Sequence, residues 1–95
     1  MKRISDWETF IKQSPPVAKR LSEEEKMAIM AFFNKQEPEA AAASYTVDEI
    51  SGKNTDIPLC SYEYNGFYWD SRDILYFDKY DMPLMSDFLD MVTKA

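Results

Sequence analysis

The chain has 95 residues, 45% of them apolar and 29% charged, with a formal net charge of -6. That length suits one domain with a modest core and leaves no room for a second domain or a deep substrate cleft. The composition excludes a disordered chain, and no apolar run is long enough to span a bilayer.

The start, MKRISDWETF, turns polar at Ser5, Asp6 and Glu8, where a signal peptide needs an apolar stretch. A lone cysteine, Cys60, makes no internal disulfide and agrees with a reducing compartment. Both features predict a cytoplasmic protein.

Ser5 and Glu8 have capping-box spacing, and Trp7, Phe10 and Ile11 fall on one helix face. The Ser14-Pro15-Pro16 run stops that helix. A second helix starts at Ser22, with Glu25 completing another capping box and three glutamates at the positive end of the helix dipole. Its Met27, Ile29, Met30, Phe32 and Phe33 spread beyond one stripe, so the helix is covered on two sides or meets a partner.

Residues 40–50 are ambiguous: the four alanines can extend a helix, whereas SYTVDEI alternates weakly like a strand. SGKNTD reads as a loop. Asn65-Gly66 then joins two β-prone runs, and both residues accept the positive φ of a type I′ turn. The expected hairpin pairs Leu59–Tyr64 with Phe67–Asp70. Asp70 or Ser71 caps a third helix, SRDILYFDKY, with Asp73 in its first turn. Pro83 is expected at the first position of a last helix carrying Leu84, Met85, Phe88, Leu89 and Val92 as an apolar stripe, with Asp90 pairing Lys94. The predicted fold is therefore a single α+β domain over residues 1–95. It has two N-terminal helices, a small antiparallel sheet with a hairpin at 59–70, and two C-terminal helices.

Residues 1–35 carry seven Lys/Arg and five Asp/Glu, whereas residues 36–95 carry four and twelve. Such a field repels nucleic acid and membranes and draws basic partners; acidity also serves solubility alone. The chain has no histidine, which removes His-based triads, His metal sites and the usual proton shuttle. One cysteine cannot build a structural zinc site, and two glycines cannot cradle a phosphate. The reading is a non-enzymatic protein without cofactor or metal. Asp70 with Asp73, or Glu63 with Asp70, are the only carboxylate pairs to nominate for acid–base work, and helix capping explains the first.

Residues 61–81 hold eight of the fourteen aromatic residues, with five acids and two bases. Tyrosine supplies rigid contact area with a polar tip, and tyrosines beside unpaired acids suit a basic protein surface. The candidate contact residues are Tyr64, Tyr68, Asp70, Tyr76, Asp78, Tyr80 and Asp81. The alternative is core-edge tyrosines and solvated acids.

The segment NGFYWDSRDILYFDKYDMPLMSDFLDMV resembles the C-terminal pattern of small uncharacterised bacterial proteins: an aromatic strand, a helix with Tyr-Phe-x-x-Tyr, a proline and an apolar end helix. The whole small, acidic chain also resembles immunity proteins of bacterial toxin systems, including contact-dependent inhibition. Those proteins share no common signature, so no residue role carries over. The resemblance implies a non-catalytic partner that plugs the active site of a basic, nuclease-like toxin. A second reading is a regulatory or scaffold module that self-associates through helix 21–36, which Phe33→Glu breaks. A third is a small carboxylate-dependent enzyme that Asp70→Asn disables.

Overall fold

A computed structural model describes residues 1–94. In chain order the elements are β1 (Lys2–Arg3), α1 (Trp7–Lys12), α2 (Glu23–Lys35), β2 (Ala40–Asp48), β3 (Lys53–Tyr64), β4 (Phe67–Asp70), α3 (Ser71–Tyr80) and α4 (Ser86–Lys94). The α+β class and the helix–helix–sheet–helix–helix order agree with expectation. The sheet itself is mixed: its order is β1-β4-β3-β2, and β1 runs parallel to β4. Two residues without any alternation make β1, so no local pattern announces it.

The hairpin forms in the expected register, with Tyr64 opposite Phe67 and Ser61 opposite Asp70. Asn65 and Gly66 both take positive φ, 51° and 85°, as a two-residue primed turn demands. Tyr62 stacks on its cross-strand partner Trp69 at 5.8 Å. The alanines are strand: Ala40 and Ala41 pair with Ser61 and Cys60, because tertiary pairing overrides their helix propensity. The segment expected to be a loop is narrower, since β3 already begins at Lys53.

Ser22 and Glu25 form the expected capping box of α2, and Asp70 and Asp73 form that of α3. Ser5 does not cap α1. Asp6 is the N-cap residue and makes no side-chain cap bond, while the buried Ser5 hydroxyl donates to Asp73. Pro83 does not begin α4, which starts at Ser86. Residues 82–85 instead tie the N-terminus: Met82 is buried, and the Met85 N–H donates to the Ile4 carbonyl at 2.8 Å. Asp90 and Lys94 form no ion pair among the described residues.

The core gathers around Phe88. Its ring lies 5.4–5.9 Å from those of Phe67, Trp69, Phe32 and Phe33. Helix α2 is covered on two sides, Phe33 meeting Phe77 of α3 and Phe32 meeting Phe88 of α4. Met27 remains 71% exposed. No helix among the described residues is long and apolar enough to cross a membrane.

Candidate protein-binding surface

The seven candidate residues do not share a face. Tyr76 is fully buried: its ring stacks on Trp7 at 6.1 Å, and its hydroxyl accepts the Glu49 N–H at 3.1 Å. The candidate contact residue Tyr76 thus gives its polar tip to the backbone of the β2–β3 turn. Tyr80 spends its hydroxyl on Asp48 at 2.7 Å. Tyr68 is half-buried beneath the Arg3 guanidinium, 5.6 Å from its ring. Tyr64 stays exposed and meets the edge of Phe32 at 5.2 Å.

Asp70 is buried and committed to folding. Its carboxylate accepts from the Arg72 N–H at 2.8 Å, from Arg72 Nη2 at 2.7 Å and from Arg3 Nη2 at 2.9 Å. Arg3 Nη2 also reaches Asp73 at 2.7 Å. Burial pushes the Asp70 carboxyl up, but the hydrogen bonds from Arg72 and Arg3 outweigh it and hold it below the usual range. Asp73 goes the other way, because its burial exceeds the help from Ser5, the Asp70 N–H and Arg3.

Opposed shifts in neighbouring carboxyls are the arrangement of an acid–base pair. Here both Asp73 oxygens are engaged in a fully buried position, so the nominated pair is a capping box fastened by arginine. Glu63 is exposed on the same sheet face, opposite Tyr68, but the Asp70 carboxylate it would work with is already spent. Among the described residues no three His, Cys, Asp or Glu side chains gather to hold a metal ion.

A second polar knot closes the β2–β3 turn. Burial pushes the Asp48 carboxyl up, yet hydrogen bonds from Tyr80, the Ser51 N–H and Lys79 hold it at about 2. Asp81 takes the left-handed cap of α3, with φ 54°. Its carboxylate pairs with Lys26 at 2.7 Å. Asp81 therefore joins α3 to α2 and is not a free contact acid.

Asp78 is the remaining candidate, and its setting differs. It is exposed and forms no ion pair among the described residues. Two shallow depressions meet at it. One lies against α2, lined by Glu23, Lys26, Met27 and Met30. The other lies between α2, α3 and β3, where Ile57, Pro58, Tyr62 and Ile74 contribute apolar surface. Lys26, which also lines the groove, donates from Nζ to the Asp78 carbonyl at 2.8 Å and to the Asp81 carboxylate at 2.7 Å, and Asp81 balances its charge. The groove is mainly apolar, with polar positions at Asn34, Gln36 and Ser71, and its acids are Glu23 and Asp78.

Sequence reasoning missed Glu23, Met27 and Met30 as groove residues. The signal was present in the excess apolar width of α2. Across the described surface the pairing of charges is uneven. Asp48, Asp70, Asp73, Asp81 and Asp87 lie in ion pairs, and the other twelve acids are exposed without one. Only five lysines, at 12, 19, 35, 53 and 94, are similarly unpaired. Compared with family models, curated proteins and solved structures, the chain matches none.

Proposed function

We propose that the chain is a non-enzymatic binding protein whose partner is a basic protein, held in the groove between α2, α3 and β3. The observation that carries this reading is Asp78, an exposed carboxylate with no ion pair among the described residues, set on a mainly apolar groove beside the exposed Met27. The surplus of unpaired acids supplies the long-range attraction, which speeds encounter, and the methionines and aromatic edges supply contact area that slows release. Within this reading the chain serves as an immunity protein. Its partner is then a nuclease-like toxin whose basic active site the acidic groove covers, in the cytoplasm of the cell that makes both.

The test is recovery of the partner from the source cell with the native chain, its identification by mass spectrometry, and its co-expression with the chain. The reading expects a basic protein that is lost when Glu23→Lys and Asp78→Lys are introduced together, and whose toxicity the native chain suppresses. Retention of the partner by the doubly substituted chain overturns the surface. Recovery of a partner without a basic face overturns the reading.

A further inference from the structure

We propose that β2 pairs antiparallel with β2 of a second copy of this chain, across a two-fold axis at Ala42, which faces its own copy. The sheet order puts the nine-residue β2 at one edge and the two-residue β1 at the other; Thr46 and Asp48 of β2 are buried, whereas Ala40 through Tyr45 are exposed. Proteins blunt such edges with charge, proline or bulges, because unpaired backbone is a template for another strand. From Ala40 to Val47 the sequence AAAASYTV has neither charge nor proline.

The edge does carry a bulge, and this bulge exposes backbone. Ala41 lies opposite Cys60 and Tyr45 opposite Pro58, so four residues of β2 advance against two of β3. Ala42, Ala43 and Ser44 have no register partner on β3, and Ala40 through Tyr45 are exposed on both faces. Backbone N–H and C=O groups at an uncharged edge seek partners, and side chains of one or two heavy atoms do not bar an approaching strand.

Self-complementarity selects the occupant. Pairing about the Ala42 axis sets Ala41 against Ala43, Ala40 against Ser44 and Glu39 against Tyr45, so no like charges face each other along the paired run. A basic foreign strand finds no carboxylate there to recognise. This surface is separate from the acidic groove and stands on different residues. Self-association through α2 does not replace it, since Phe33, the residue expected to mediate that contact, is 3% exposed.

The test is light scattering of the full chain from about 10 µM to about 1 mM, the range suited to a small interface made chiefly of backbone hydrogen bonds. The mass should rise from 11.1 kDa toward twice that value, and amide exchange at residues 40–45 should slow as concentration rises. Added salt should favour the dimer, because each copy carries -6. Ala43→Pro and Ala42→Lys should each restore the monomer. Should the proline variant misfold, the lysine variant, at an exposed position outside the ladder, decides. A monomer throughout the range, a dimer indifferent to Ala42→Lys, or concentration-dependent protection on elements other than β2 would overturn the proposal.

Discussion

Arg3 Nη2 lies 2.7 Å from the buried carboxylate of Asp73, joining the second strand residue of the chain to the first turn of α3. The same nitrogen holds Asp70, and the guanidinium lies 5.7 Å from the centre of the Trp7 ring. One side chain thus ties β1, α1, β4 and α3 together. Removing one partner of such a pair leaves the other charge buried and uncompensated. Arg3→Met is expected to lower stability by about 2–3 kcal/mol, less than for a fully buried pair because Arg3 keeps some exposure. Lys2→Ala, at an exposed pair with Asp87, should leave stability near the native value. Urea unfolding of both variants checks the contrast.

Asp48 contributes to the acid limb of stability, beside Asp70, which is also held below the usual range. The Asp48 carboxyl is held at about 2 in the folded chain, below the roughly 3.9 of an unfolded aspartate. Its contribution is therefore complete above about pH 4 and is lost as pH falls toward 2. Tyr80→Phe removes the foremost hydrogen bond that lowers it. That variant should lose about 1 kcal/mol at neutral pH, and its stability should fall less steeply with acid. Circular dichroism of urea unfolding at stepped pH values measures both effects. An unchanged acid limb would contradict the role of the Tyr80 hydroxyl.

Helix α2 presents opposite behaviour on its two sides. Phe33 packs on Trp69, Phe77 and Phe88, so Phe33→Glu places an unpaired charge in the core and should unfold the chain. Phe88→Ala should cost about 3–5 kcal/mol, the range for emptying an aromatic site. Met27→Glu, on the exposed side, should keep the native melting curve. Thermal melts followed by near-ultraviolet circular dichroism, which reads the aromatic cluster, separate these outcomes.

The legible parts of the fold are those whose cause is local. Asn65-Gly66 marks the hairpin because few other residues tolerate its φ values, and the Ser22–Glu25 and Asp70–Asp73 boxes mark helix starts because capping acts over three residues. What escaped is non-local. Strand β1 exists because Arg3 finds Asp70 and Asp73, sixty-seven and seventy residues away. Ser5 has the spacing of a cap, but Asp73 takes its hydroxyl. Tyr76 and Tyr80 have the helical positions of contact residues, but Glu49 in the β2–β3 turn and Asp48 at the end of β2 claim their hydroxyls. Of the candidate contact acids, Asp78 alone has no ion pair among the described residues. Its neighbours Met27 and Glu23 come from a helix more than fifty residues earlier, and sequence periodicity does not connect them.

The proposed function rests on Asp78 meeting a basic partner. The direct test is the dissociation constant of the purified partner as a function of salt, for the native chain and Asp78→Lys. The native affinity should fall with salt, because surface charges are screened within about a Debye length. Asp78→Lys should weaken binding about tenfold at low salt and flatten the dependence, with an unchanged melting curve. An affinity and salt slope equal to those of the native chain would contradict the claim.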